Sequence, residues 1–159
     1  MARILEGWSA GLLTGEFKHT MDAKGRVFIP AKWREELKGE VVVTAGQENC
    51  LFVMTQNRFA ERASQLEQLS PNHKVNRDHN RLFFSFASEE QVDRSGRMNI
   101  PQNLREYAGL SGPVVLIGVS GRAEIWDRDV WTEYKQGVED SYESITEQLD
   151  PPRILERIK

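Results

Sequence analysis

The chain has 159 residues, of which 39% are hydrophobic and 28% are charged, as in a folded globular protein of one ordinary domain or two small ones. The longest apolar runs are too short to cross a bilayer, and the N-terminus lacks the apolar core of a signal peptide, so we expect a cytoplasmic protein without a membrane partner. The formal net charge of −3 argues against a generic polyanion binder that relies on overall basic charge.

Charge is unevenly distributed along the chain. Residues 18–38 contain six cations and three anions, a local net charge of +3, whereas residues 139–150 contain five anions and no cation. A nucleic-acid partner would therefore contact a local basic surface, because phosphate binding depends on the charge nearby rather than on the total.

The first elements in chain order are predicted to be short strands. Residues 1–13 show little pattern and are expected to form a flexible leader. Polar and apolar residues alternate over 16–21, which predicts a half-buried strand. The following residues, 22–25, have the Asp and Gly that tight turns use, and residues 27–29 read as another strand.

A helix and two strand–turn–strand units are predicted next. Pro30 suits the first position of a helix, because its missing N–H costs nothing there, and Gly39 would end this helix. Strands are then predicted on either side of Gly-containing turns, at residues 41–44, 50–53, 114–117 and 123–126.

Three longer helices are predicted from apolar residues at helical spacing. Asn57 is the expected cap of the first, which Ser-Pro-Asn at 70–72 ends. A second begins near Val75 and leads to the next strand. A third, with apolar residues three or four apart over 131–149, ends at the Asp-Pro-Pro of 150–152.

The strongest pattern is an internal duplication with a constant offset of 71 residues. Asp-Ala-Lys-Gly-Arg at 22–26 returns as Asp-Arg-Ser-Gly-Arg at 93–97, and each is followed three residues later by Ile-Pro. The predicted unit, used twice, is strand, turn, strand, short helix, strand, turn, strand. Because about seventy residues make a small domain, we expect the two copies to share one core.

Catalysis is not indicated. The three histidines, His19, His73 and His79, are scattered without the spacing of a zinc site, and no phosphate-binding loop or nucleophile-elbow motif occurs. The single cysteine, Cys50, lies beside Leu51 and is expected to be a small buried hydrophobic side chain. We therefore expect neither enzymatic activity nor a metal or other cofactor.

The duplicated turn allows two interpretations. Asp22 with Arg26, and Asp93 with Arg97, can pair across the turn and simply stabilise it. Alternatively, two such turns brought together by pseudo-twofold packing would form a basic surface that binds phosphates and presents arginines to guanine edges. Cations near the turns exceed what the two acids can neutralise; they are Lys18, Lys24, Lys32, Arg34, Arg94 and Arg105.

Two stretches, residues 14–34 and 92–110, resemble the two halves of the MraZ family, bacterial transcriptional regulators of the division and cell-wall gene cluster. The resemblance covers about residues 15–131, and the paired Asp-x-x-x-Arg motifs with their Ile-Pro carry it. It implies an α+β, mainly β fold of two interlocked AbrB-like swapped-hairpin repeats, forming a pseudo-dimeric barrel with flanking helices. It also implies ring-shaped homo-oligomers that bind short direct repeats in promoter DNA, usually as repressors of their own operon.

The resemblance and the charge pattern together predict the site. Residues expected to bind DNA are Lys24, Arg26, Arg94 and Arg97. Candidate phosphate contacts are Lys18, Lys32, Arg34 and Arg105. Residues expected to stabilise the turns are Asp22, Gly25, Asp93 and Gly96. The second turn departs from the first because Ser95 occupies the position of Lys24, so the first copy should dominate phosphate contact.

The expected organisation places the first AbrB-like repeat at 14–58, a helical connector at 59–84 and the second repeat at 85–128. A leader at 1–13, a C-terminal helix at 129–150 and a tail at 151–159 complete it. The leader is longer than the family's usual start. Expected partners are double-stranded DNA at the nucleoid and further copies of the chain, with no small-molecule ligand. The alternative is an AbrB-type, antitoxin-like module that binds a protein through its C-terminal helix.

Overall fold

The computed structural model describes residues 11–150 and divides the chain into two compact units. The first unit ends at Arg128 and contains both repeats. The second unit begins at Asp129 and is helical.

The first unit contains eight strands and three α-helices among its described residues. The strands are β1 Glu16–Thr20, β2 Arg26–Phe28, β3 Gly39–Ala45, β4 Leu51–Thr55, β5 Ser88–Val92, β6 Arg97–Asn99, β7 Pro113–Gly118 and β8 Ala123–Asp127. The helices are α1 Gln56–Glu67, α2 Lys74–Phe86 and α3 Gln102–Ala108.

Strand exchange between the repeats organises the main sheet. Six antiparallel strands lie in the order β1-β7-β8-β4-β3-β5. The first strand of each repeat pairs with the third strand of the other repeat, as β1 with β7 and β5 with β3. The α+β fold class and the interlocking of the repeats are therefore confirmed, with a mainly antiparallel sheet accompanied by helices. The sheet is open rather than a closed barrel, since β1 and β5 are its two edges within residues 11–150.

A second, two-stranded sheet joins the repeats at their pseudo-twofold axis. We call this pair, β2 and β6, the ribbon. Its antiparallel register pairs Val27 with Met98, which are equivalent positions at the offset of 71. Both side chains are buried in the core. The short ribbon thus has one face in the core and one face outward, as the period-two geometry of strands requires.

Both repeats contribute to one hydrophobic core, as expected. Its members include Ile29 with its counterpart Ile100, and Trp33 with its counterpart Leu104, all of them inaccessible or nearly so. A smaller cluster, formed by Met54, Leu66, Phe83 and neighbouring phenylalanines, attaches α1 and α2 to the sheet. Cys50 is buried as predicted, and burial raises the pKa of its thiol.

The helix predicted after Pro30 is wrong for the first repeat. A short 3-10 helix, Ala31–Trp33, and a series of turns replace it, whereas the second repeat has the seven-residue α3. The matching strand registers make Glu40 equivalent to Pro113, so the first connection is two residues shorter. Trp33 is also fixed by a 2.9 Å hydrogen bond from its indole N–H to the carbonyl of Thr14. A shorter, anchored connection leaves less room for a regular helix.

The predicted cap of α1 is also wrong. The helix begins at Gln56, and its N-cap is Thr55, whose hydroxyl accepts a 3.1 Å hydrogen bond from the backbone N–H of Arg58. Asn57 lies inside the first turn of the helix. Thr and Asn both suit a cap position, so local residue preference alone does not choose between them.

The second unit contains two helices where the sequence predicts one. They are α4 Arg128–Asp140, which starts at the boundary residue, and α5 Tyr142–Glu147. Ser141 separates them with φ −112° and ψ 8°, outside the α-helical region. The predicted tail at 151–159 and most of the predicted leader lie outside the described residues. No helix within residues 11–150 meets the length and hydropathy needed to span a membrane.

Candidate nucleic-acid interface

The first duplicated turn, residues 22–25, is closed by the carboxylate of Asp22. Its Oδ1 atom accepts hydrogen bonds of 2.9 Å from the backbone N–H groups of Lys24 and Arg26. Its Oδ2 atom accepts a 2.8 Å hydrogen bond from Nε of Arg26. Gly25 closes the turn with a φ of 81°, a conformation that glycine adopts without steric cost.

The second turn, residues 93–96, repeats these contacts. Asp93 accepts 2.9 Å hydrogen bonds from the backbone N–H groups of Ser95 and Arg97, and a 3.1 Å bond from Nε of Arg97. Gly96 has a φ of 87°. The two turns therefore have the same structure, with different residues at the two positions between the acid and the glycine.

Hydrogen bonds to the carboxylates lower their pKa. The pKa of Asp22 lies below its ordinary value, chiefly because the backbone N–H of Arg26 donates to the charged form. The backbone N–H of Arg97 has the same leading effect on the pKa of Asp93. Both acids are consequently charged at neutral pH, and each partly neutralises its arginine.

The ion pairs occupy only one nitrogen of each arginine. Arg26 and Arg97 contact their acids through Nε, and within residues 11–150 no partner is found for either Nη group of these two side chains. About a third of each arginine side chain is exposed, at 32% and 33%. The pairing that stabilises the turn thus also orients a guanidinium whose outer edge can bind a phosphate or a guanine.

The outward face of the ribbon brings the two arginines together with two further residues. Arg26 is paired with Asn99, and Phe28 is paired with Arg97, so all four residues share the face opposite Val27 and Met98. Phe28 is 41% exposed, and Asn99 is exposed as well. The turns extend from opposite ends of this face.

Phe28 and Asn99 are not among the residues that the duplicated motif predicts to bind DNA. The sequence predicts a strand at residues 27–29, but only an alternation with a period of two that starts at Arg26 relates its side chains to that arginine. That alternation places residues 26 and 28 on one face in the first copy and 97 and 99 on one face in the second. It is the signal that would have identified both residues.

The remaining predicted cations have different surroundings. Lys18, Lys24 and Arg94 are exposed. Lys32 is exposed and donates a 3.0 Å hydrogen bond to the hydroxyl of Thr14. Lys24 and Arg94 project from the two turns, but one position apart in the repeat, so the basic charge around the ribbon is not perfectly symmetric.

Arg34 and Arg105 are equivalent residues of the two repeats, and each contacts the turn of the other repeat. A methyl group built on Gly25 would lie 2.7 Å from Cζ of Arg105 and 2.8 Å from its Nη1. One built on Gly96 would collide with Nε of Arg34 and lie 2.8 Å from its Cζ. Both guanidinium groups therefore pack directly against the glycines.

Within residues 11–150, no group of three or more His, Cys, Asp or Glu side chains could hold one metal ion. The two copies of the duplicated motif form the ribbon and its turns.

Comparison with known proteins gives a consistent match over both repeats. The family described as "MraZ protein, putative antitoxin-like" matches residues 12–82 and again residues 83–150. A transcriptional regulator MraZ of Thermoanaerobacter sp. (strain X514) is 45% identical over 90% of this chain and 100% of the relative. Proteins of the same name from Natranaerobius thermophilus and Moorella thermoacetica are 43% and 46% identical, each over 87% of this chain and 96% of the relative. The chain therefore belongs to the MraZ family.

Proposed function

We propose that this protein is a sequence-specific DNA-binding transcriptional regulator that contacts the major groove of duplex DNA with its ribbon. The observation that carries the proposal is the outward face on which Arg26 and Arg97 are each held by an acid through Nε, leaving the outer guanidinium edge to a ligand. The names of its relatives, transcriptional regulator MraZ, support the same function.

The size of the ribbon suits the groove. A major groove about 12 Å wide admits a two-stranded β-ribbon. Arginine forms paired hydrogen bonds with guanine, asparagine does so with adenine, and an aromatic side chain can contact the thymine methyl group. The face that carries Arg26, Phe28, Arg97 and Asn99 offers each of these chemistries.

The flanking cations supply the sequence-independent part of binding. Lys24 and Arg94 on the turns, with Lys18 and Lys32 nearby in the sequence, are proposed to contact phosphates. The position equivalent to Lys24 in the second turn is Ser95, which is uncharged, so the first turn is proposed to contribute more of this binding. A local basic surface of this kind allows DNA binding by a chain whose net charge is −3.

The two copies differ in the residues that they present, and this difference fits an operator made of direct repeats. A DNA-binding protein with true twofold symmetry favours a palindromic site. Here the ribbon presents Phe28 in one half and Asn99 in the other, and Lys24 in one turn against Ser95 in the other. We propose that each subunit reads one non-palindromic repeat, and that a ring of subunits gains affinity by binding successive repeats at high effective concentration.

The proposed target is the promoter of the protein's own division and cell-wall gene cluster, where binding represses transcription. The protein would therefore act in the cytoplasm, at the nucleoid. DNase footprinting on the DNA upstream of the protein's own gene tests this. Protection of evenly spaced short repeats, lost when the repeats are scrambled, is the expected result. Uniform weak protection that ignores the scrambling would contradict sequence-specific regulation.

A protein-interaction function is the second candidate, and one observation favours it. The second unit exposes apolar side chains at Tyr142, Ile145 and Leu149, and the family's description includes the words "putative antitoxin-like". A pull-down that recovers a stoichiometric protein partner, together with no salt-sensitive DNA affinity, would favour this candidate over the first.

A further inference from the structure

The arginines that follow the two Ile-Pro pairs, Arg34 and Arg105, have contacts that separate them from the other cations near the turns. Each packs its guanidinium against a glycine of the opposite repeat, Arg105 on Gly25 and Arg34 on Gly96. We propose that Arg34 and Arg105 are crossed positioning residues, the arginine of each repeat holding the DNA-contacting turn of the other. This inference rests on the proposed function and deepens it.

Backbone hydrogen bonds already connect each turn to the opposite repeat. The carbonyl of Gly96 accepts a 2.7 Å hydrogen bond from the N–H of Ile29, and the carbonyl of Gly25 accepts a 2.8 Å bond from the N–H of Ile100. Nε of Arg34 in turn donates a 3.1 Å bond to the carbonyl of Ile29. One residue of the first repeat is thus bonded both to the second turn and to the arginine that covers it.

The arginine over the first turn is held differently. Nε of Arg105 is buried and has no hydrogen-bond partner among residues 11–150. Packing against Gly25, rather than a bond equivalent to that of Arg34, therefore accounts for the close contact of its guanidinium with the turn. A Cβ atom at residue 25 would occupy the space that the guanidinium fills and would displace Arg105 from the turn.

This geometry has a consequence for binding. Arg26 and Arg97 begin the ribbon strands directly after Gly25 and Gly96. A turn that loosens would release the backbone N–H groups that orient Asp22 or Asp93, and with them the arginine that each acid holds. Each positioning arginine would then act on DNA binding through the turn in the other half of the sequence.

The first test uses free protein, so it does not depend on DNA binding. Amide hydrogen exchange is measured for wild type, Arg105→Lys, Arg34→Lys and the control Arg81→Lys, an exposed arginine on α2. Arg105→Lys should speed exchange several-fold at Lys24 and Arg26 but not at Ser95 and Arg97. Arg34→Lys should do the reverse. Exchange of the buried β3 amides and the urea midpoint of unfolding report whether each variant stays folded.

Lysine keeps the positive charge but lacks the planar guanidinium, so it separates positioning from phosphate contact. In a DNA titration at fixed salt, a positioning arginine replaced by lysine should weaken binding about tenfold, close to 1.4 kcal/mol. If the arginine instead contacts a phosphate only through its charge, the lysine variant should keep the DNA affinity of wild type. The proposal is overturned if a lysine variant speeds amide exchange in the turn of its own repeat, or if it changes exchange in neither turn. It is also overturned if both lysine variants keep the DNA affinity of wild type. If wild type shows no salt-sensitive DNA binding, the proposed function fails, while the exchange result still decides the crossed contact.

Discussion

At the scale of single residues, the acid of each turn has two effects that the sequence presents as alternatives. Asp22 stabilises the turn by accepting backbone N–H bonds, and it also holds Arg26 through Nε. Because the Nη groups remain outward, pairing and ligand binding are compatible. The sequence shows that the acid and arginine are four apart, but only the side-chain geometry shows which nitrogen the acid occupies.

Gly25→Ala tests the backbone requirement of the first turn. A non-glycine residue in the left-handed region costs about 1–2 kcal/mol, and the free energy of unfolding should fall by that amount. The added Cβ also displaces the guanidinium of Arg105, which is flexible enough to move. Urea unfolding measures the change. Gly112→Ala is the matched control, since this glycine has open space around its Cα and no positive φ; an equal loss in both variants would contradict the account.

His19 should make stability depend on pH. Burial, followed by the charges of Arg34 and Arg128, lowers the pKa of His19 in the folded state. The unfolded chain, with a histidine pKa of about 6.5, therefore binds more protons between the two values, and stability rises with pH across that window. The contribution is complete above about pH 6.5 and is lost as the pH falls toward the folded pKa. Urea unfolding of His19→Gln should show a smaller loss between neutral and mildly acid pH; an unchanged loss would contradict this assignment.

At the scale of elements, the strands were predicted well and the helices less well. Alternation and Gly-containing turns locate the pairs on either side of residues 46–49 and 118–121, because those signals are local. The helix expected after Pro30 fails because a connection two residues shorter and the anchoring of Trp33 prevail over local preference. The single helix expected at 131–149 fails because Ser141 leaves the helical region despite continuous apolar spacing.

Thr55→Ala and Asn57→Ala separate the observed cap of α1 from the predicted one. Loss of the Thr55 hydroxyl leaves the N–H of Arg58 without its acceptor and should cost about 1 kcal/mol. Asn57→Ala, within the first turn of the helix, should be neutral or slightly stabilising because alanine has the higher helix propensity. Thermal or urea unfolding of both variants measures this. If Asn57→Ala lowers the free energy of unfolding more than Thr55→Ala does, Asn57 rather than Thr55 is the cap of α1.

At the scale of the whole molecule, duplication and pairing between repeats create the surface. The offset of 71 residues predicts two equivalent turns and a shared core from sequence alone. It does not show that the ribbon pairs Arg26 with Asn99 and Phe28 with Arg97, because cross-strand register depends on contacts far apart in the chain. For the same reason, the contacts of Arg34 and Arg105 with the opposite turns could not be read from their positions in the sequence.

The two halves of the ribbon surface present different side chains. Both halves have an arginine, but Phe28 in one copy corresponds to Asn99 in the other, and Lys24 corresponds to Ser95. Asn99→Ala should therefore relax preference at one base pair, by about 1–3 kcal/mol of discrimination, without an equivalent effect at the mirrored position. Binding selections with DNA randomised across one repeat measure this. Equal relaxation at two mirrored positions would show that the ribbon reads its halves alike.

The most direct measurement of the central claim is the ratio of affinities for a promoter repeat and for scrambled DNA, compared among wild type, Arg26→Ala, Arg97→Ala and the control Arg81→Ala. Fluorescence anisotropy at several salt concentrations gives both affinity and specificity. The account predicts that each ribbon variant remains folded and loses the preference for the repeat, while Arg81→Ala keeps it. An unchanged preference in Arg26→Ala and Arg97→Ala would contradict the assignment of the ribbon as the DNA-binding surface.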